Sequence, residues 1–282
     1  MIRQRLVRTI GITSVVGGLL ALPAVLEGVL VAPHAVFIDH ASRTGQLTLV
    51  NTGTDPEEVT IDLRFGYPDT DSAGNIFVRL IDQPGDDQPS AASWIRAFPR
   101  QVRLLPGARQ VVRLLATPPA GIADGEYWSR VLVTSRGAAV PVAGGDSLVS
   151  AGVTLELRTI ISVTYRKGDV QTGVQLGDLS VQVHNDSLIA WVDLAREGNA
   201  AYLGQVTFDL RDANNRSVAS WPTPIAVYYT LRRRFAFPLS GVEAGTYTLH
   251  FTLNTDREDL DPQDVLPAEA ITRSMGIEVP TR

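Results

Sequence analysis

Cysteine is absent from the chain, which excludes a disulfide framework and thiolate metal sites and leaves packed cores as the source of stability. Lysine is almost absent too, Lys167 being the only one, and acids outnumber bases 30 to 25 for a net charge of −5. Nucleic acid is not an expected partner. The one basic cluster, Arg232–Arg234, is too small and isolated for a phosphate track and reads as a solvated strand edge. The four histidines, His34, His40, His184 and His250, include no pair with zinc-ligand spacing, so no metal is expected. There is no Gly-x-Ser-x-Gly elbow, phosphate loop, dinucleotide fingerprint or outstanding carboxylate pair. An enzyme, a cofactor and a small-molecule substrate are therefore not expected. Asp69, Asp71 and Gly74 approach a calcium loop, but Ala73 replaces its third ligand and Leu80 its bidentate Glu, leaving a turn. The acidic stretch Asn254–Asp264 lacks ligand spacing and reads as a solvated loop.

What is present is hydrophobic enough, at 44%, to fill one large or two medium cores. Arg3, Arg5 and Arg8 precede an apolar run from Ile10 to Leu22, with Pro23 and Ala24 beyond it. That layout is expected to be an export signal occupying residues 1–24 and cleaved near Ala24, placing the protein in the periplasm. The competing reading, an uncleaved anchor, meets an apolar run short of the roughly 20 residues a spanning helix needs. Removing the signal removes three arginines and no acid, making the remainder more acidic still.

Beyond the signal the pattern is strand and turn. Gly28–Asp39 reads as a first strand broken at Pro33, which cannot donate to a ladder. Gln46–Asn51, Glu57–Phe65, Ile76–Ile81 and Gly125–Thr134 follow as strands, and Pro106-Gly107 marks a turn between two apolar-rich runs. Ser135–Ser150 reads as a long loop of small residues, a length associated with mobility or function. After Arg166–Asp169, further strands are expected at Asp178–His184, Leu188–Arg196, Gln205–Arg211, Ala226–Phe237, Thr246–Leu253 and Met275–Val279. Two runs of about seven strands fit an all-β chain of two immunoglobulin-like sandwiches, here residues 25–167 and 168–282.

The stretch around which this organisation turns is Val153–Tyr165. Val153, Leu155, Leu157, Thr159, Ile161, Val163 and Tyr165 alternate with mostly polar residues, giving a strand with one apolar face. At roughly 13 residues it outruns the usual five or six, so one half can serve something beyond its own core. Val149 and Ala151 would extend the series.

In the order found here, four pieces resemble the periplasmic pilus-assembly chaperones of the chaperone-usher pathway. His34-Ala35-Val36-Phe37 looks like the first-strand motif, Leu104–Arg113 (LLPGARQVVR) like the L-x-P-G-x-x-x-x-V-R turn, Glu126–Val133 like the F strand, and Val153–Arg166 like the G strand ending in Tyr-Arg. The resemblance spans roughly Val29–Lys167. It implies an exported, two-domain chaperone that binds pilus or surface-fibre subunits by lending them a strand and delivers them to an outer-membrane usher. Val153, Leu155 and Leu157 then fall at the donated positions. The family's Arg and Lys that grip a subunit's terminal carboxylate align with His34 and Ser162, neither a fixed cation; Arg158 and Arg166 are the other candidate anchors. A structural or adhesive surface protein is the competing reading, in which the long strand only completes its own sheet. An open strand of this kind also permits self-association.

Overall fold

The computed structural model describes residues 28–137, 140–142, 151–153 and 155–281. The expected signal, residues 1–24, and Val149 lie outside the described residues. Twelve strands run up to Lys167 among the described residues: β1 (Val29–Ala32), β2 (Ala35–Asp39), β3 (Thr44–Asn51), β4 (Glu57–Thr70), β5 (Ile76–Ile81), β6 (Ile95–Phe98), β7 (Gln101–Leu104), β8 (Arg109–Ala116), β9 (Gly125–Arg136), β10 (Val140–Val142), β11 (Ala151–Val153) and β12 (Glu156–Lys167). Seven follow: β13 (Thr172–His184), β14 (Ser187–Gly198), β15 (Tyr202–Arg211), β16 (Ser217–Val227), β17 (Thr230–Pro238), β18 (Gly245–Asn254) and β19 (Ile271–Val279). No helix among the described residues is long and apolar enough to cross a membrane.

The fold is all-β, built as two sandwiches. In the first, a sheet of order β1-β3-β8-β6 faces one of order β2-β12-β9-β4-β5, with β7 paired to β4. In the second, β13-β14-β17 faces β16-β15-β18-β19. Both orders reproduce the immunoglobulin arrangement of an A-B-E-type sheet on a C-F-G-type sheet. One core gathers Leu47, Leu49, Leu114, Ile61, Ile161 and Val163; the other gathers Tyr202, Phe208, Leu210, Leu249 and Phe251. The two cores share no residue, and the chain passes between them just after Lys167.

Local chemistry explains the breaks. Pro33 ends β1, which pairs with β3, so that β2 restarts in the opposite sheet beside β12. Leu105, Pro106, Gly107 and Ala108 form a turn closed by the Ala108 amide on the Leu105 carbonyl at 2.9 Å, with Gly107 at φ 71. That is the geometry of Pro at the second and Gly at the third position of a type II turn. The turn joins strands of opposite sheets, β7 and β8, rather than closing a hairpin.

Several expected elements are redrawn. The single strand expected at Ala226–Phe237 is two strands, β16 and β17, separated at Tyr228-Tyr229. No strand was expected over residues 217–225; β16 covers them, and its Pro222 and Pro224 lie on an edge strand, where proline is tolerated. Arg232–Arg234 lies on the edge strand β17 with Arg232 and Arg234 exposed, and two of its backbone amides are engaged. The Arg234 amide donates to Gly74 O at 3.0 Å and the Arg232 amide to Thr70 Oγ1 at 3.3 Å, so the β4–β5 hairpin tip meets the backbone of this edge while the side chains of Arg232 and Arg234 stay exposed. The loop expected at Ser135–Ser150 is shortened by β9, which runs to Arg136, and Val140–Val142 pairs with Ala151–Val153; residues 138–139 and 143–150 lie outside the described residues.

A Cβ at Gly107 would meet nothing within 4 Å, whereas one at Gly66 would lie 2.5 Å from the Arg79 carbonyl oxygen. Gly107→Ala is therefore expected to cost only the backbone term, about 1 kcal/mol in urea unfolding. Gly66→Ala is expected to cost more than Gly107→Ala, because backbone rather than a flexible side chain must move.

Candidate functional site

The site is built on β9 and β12, whose alternation serves two surfaces. Val131 and Val133 on β9, with Ile161, Val163 and Tyr165 on β12, enter the first core. Glu126, Trp128 and Arg130 on β9 and Ser162 on β12, which alternate with them, meet residues of the second sandwich. Across the ladder Glu126 stands opposite Arg166, Trp128 opposite Thr164, and Arg130 opposite Ser162. Because β9 is covered on both faces, its Glu126, Trp128 and Arg130 are 2%, 1% and 5% exposed.

Glu126 joins the two sandwiches. Its Oε1 accepts from Arg166 Nε at 2.8 Å, while Oε2 accepts from Trp128 Nε1 at 3.0 Å and from the Ala201 amide at 2.9 Å. Trp128 in turn packs with Phe65, Ala201 and Tyr228 in a third buried cluster. Beside it, Asp124 accepts from Lys167 Nζ at 2.6 Å, and Asn199 Nδ2 donates to the carbonyls of Asp124 and Asp169.

Between the sandwiches, next to this junction, lies a cleft of about 210 Å³ reached by His34, Phe37, Ser162, Arg130, Tyr228 and Arg257. The Ser162 amide donates to the His34 carbonyl at 3.2 Å, so these two expected anchor positions are brought together. Ser162 Oγ and the Tyr228 hydroxyl are 3.4 Å apart. The fixed positive charge comes from residues that the sequence reading did not select. Arg130 donates through Nε to Gly66 O at 3.1 Å and lies 5.1 Å from the Tyr228 ring centre; no hydrogen bond to its Nη atoms occurs among the described residues. Arg257 forks onto Asp259, Nε to Oδ1 at 2.6 Å and Nη2 to Oδ2 at 2.7 Å.

The other two expected anchors are engaged elsewhere. Arg166 is held by Glu126 and lies 4.6 Å from the Phe37 ring centre. Arg158 pairs with Glu156 at 3.3 Å, beside the 2.7 Å Arg136–Glu156 bond, in a separate polar groove with Glu58 and Asp62. Parity could have exposed Arg130, since Gly125–Thr134 alternates and Arg130 shares a face with Glu126 and Trp128. Arg257 sits on an irregular loop and carries no such signal.

At its outer end the expected continuous strand is interrupted. Val153 belongs to β11, Leu155 lies between strands, and β12 begins at Glu156. Leu155 is 68% and Leu157 39% exposed, whereas Ile161, Val163 and Tyr165 on the same alternation are buried. β12 pairs with β9 along its whole length but with β2 only over Ser162–Arg166. Among the described residues, the second edge of Glu156–Ile161 has no partner strand.

No family model and no curated protein matches the chain. Among solved structures it is similar to the YadV chaperone, at 15% identity and a TM-score of 0.45, covering 87% of this chain and 99% of that one. It is similar to the Pseudomonas aeruginosa CupB2 chaperone at 13% identity and a TM-score of 0.40, covering 87% and 98%. A structure of the Salmonella enterica SafA pilin in complex with the SafB chaperone gives 11% identity and a TM-score of 0.42, covering 89% and 97%.

Glu126→Ala would strand a guanidinium that is 14% exposed together with an indole N–H and a buried amide. It is expected to cost about 3–5 kcal/mol of unfolding free energy, measured by denaturant titration. The hydrogen bond from Lys167 holds the Asp124 carboxyl below its ordinary range. Its stabilisation is complete above the unfolded-state value and is lost as pH falls through the lowered folded value. Lys167→Ala should return the Asp124 midpoint toward the ordinary range in a carboxyl-carbon NMR titration.

Proposed function

We propose that this protein is a periplasmic chaperone that holds pilus or surface-fibre subunits by strand donation from the outer part of β12 and passes them to an outer-membrane usher. The observation that supports it is the exposed pair Leu155 and Leu157 beside the unpaired edge of Glu156–Ile161. A subunit lacking a strand presents an apolar groove and unmade backbone bonds, and an open strand with alternating side chains supplies both needs. Burying each leucine is worth about 1.5–3 kcal/mol, enough to make the site strong without any covalent step.

The cleft supplies the end of the same track. Ser162 stands five positions beyond Leu157, about 17 Å along a strand. An incoming strand that ends at Ser162 would run parallel to β12, collinear with β2, and bring its terminal carboxylate to Arg130 and Arg257. His34 and Ser162 then contribute a short-range polar wall rather than the principal charge. Val153 belongs to the proposed donor region as the start of the track. No catalytic step is part of this function.

Leu155→Glu and Leu157→Glu should each weaken subunit capture about 100-fold or more, because apolar burial is lost and a charge enters an apolar groove. The free protein should keep its melting temperature in Leu155→Glu, whose leucine is 68% exposed, and lose a little in Leu157→Glu, whose leucine is 39% exposed. Capture is read by tagging the protein in its source organism, purifying it gently from the periplasm and identifying what accompanies it by mass spectrometry. An equimolar β-sandwich subunit with the parent protein, lost in both variants, supports the function. Recovery with envelope material alone points instead to the surface-module reading.

A further inference from the structure

The acidic stretch Asn254–Asp264 has no part in the strand-donation surface, yet it places Arg257, Asp259 and Leu260 against the cleft. The Arg257 side chain is 11% exposed and its Nη1 also donates to Ile225 O at 3.3 Å. Asp259, by contrast, is 57% exposed. The guanidinium is fixed in the wall, while the carboxylate that occupies its fork stands at the rim, where it can be hydrated after leaving. Two parallel N–H to oxygen bonds are the arrangement a carboxylate from outside would seek. His34 lines the same cleft, and the hydrogen bond from Arg257 holds the Asp259 carboxyl below its ordinary range.

We propose that Asp259 is a resident stand-in for the client's terminal carboxylate: it closes the Arg257 fork in the free protein and is displaced when a client terminus enters, so that it sets the affinity threshold of the cleft. This rests on the reading of the cleft as the seat of such a terminus. The exchange requires no backbone rearrangement of the sandwiches. Arg257 keeps its bond to Ile225 O, Asp259 swings into water, and the incoming carboxylate takes Nε and Nη2 while Arg130 presents its Nη atoms from the opposite wall. A neutral terminus would gain nothing from the exchange, because it could not replace the ion pair it breaks. Asp259 therefore sets how tightly a charged chain end is held, while the Arg257 fork and Arg130 prefer that end over an internal carbonyl or an amidated end.

The test uses the folded full chain with N-acetyl-alanyl-phenylalanine and its C-terminal amide as probes, followed by NMR through the Arg257 Nε–H resonance and by the dissociation constants. Wild type should bind the acid in preference to the amide, with the Arg257 resonance moving on saturation. Asp259→Asn should tighten the acid about fivefold, the scale of removing one partly exposed competing ion pair, and leave the amide unchanged. In the double variant Asp259→Asn/Arg257→Gln the gain should vanish, because the two residues act through one fork. If Asp259→Asn leaves acid binding unchanged or weaker while the acid preference survives and is lost on Arg130→Gln, the stand-in role is overturned and the cleft reading stands. If acid and amide bind alike, or neither binds, to wild type and Asp259→Asn, the cleft reading itself fails.

Discussion

The rest of the structure depends on one buried carboxylate. Glu126 has a fully covered side chain, and its two oxygens accept from a guanidinium, an indole and a backbone amide. Such a group is tolerable only when every acceptor position that matters is filled, since an ionised carboxylate out of water is costly unless paired and hydrogen-bonded. Two of its partners, Trp128 and Arg166, belong to the first sandwich; the third, the Ala201 amide, belongs to the second. Meeting all three at once holds the sandwiches at one mutual orientation. The cleft beside it, with Arg130 on one wall and Arg257 on the other, exists only because that orientation is held.

β9 and β12 show how one periodicity is put to two uses. A strand sends successive side chains to opposite faces, and in most sandwiches the second face meets water. Here the second face of β9 is covered by the other sandwich, so Glu126, Trp128 and Arg130 are buried although two of them are charged. On β12 the apolar series continues past the limit of its own core: Ile161, Val163 and Tyr165 are inside, and Leu155 and Leu157 are not. The same spacing that completes the sandwich thus runs on beyond it, leaving two leucines exposed beside an unpaired strand edge.

An exposed strand edge with apolar residues invites indiscriminate pairing. The charges of Arg136, Glu156 and Arg158 lie on the polar face of the outer segment and pair with one another. They keep that face charged and hydrated, while the exposed leucines stand apart from it. The ion pairs are exposed, so their role is in discouraging wrong partners more than in stability.

The sequence by itself determined the all-β class, the two-sandwich organisation, the break at Pro33, the turn at Pro106-Gly107 and the alternating strand, because each depends on periodicity or on a residue's own backbone restrictions. His34 and Ser162, singled out as candidate anchors through the resemblance, are set side by side by the parallel pairing of β2 with β12. The sequence carried no strand at residues 217–225, which run at a sheet edge, and neither the break before Glu156 nor the backbone contacts of Arg232 and Arg234 with the β4–β5 hairpin were visible in it. Which arginines meet the cleft was decided by the tertiary structure alone. Arg158 and Arg166 have the right composition but are drawn off by Glu156 and Glu126, while Arg130 and Arg257, distant in sequence and on different sandwiches, converge. Charge partnership depends on the distance between folded surfaces, and that distance was set by packing at Glu126, Trp128 and Tyr228 rather than by any local pattern.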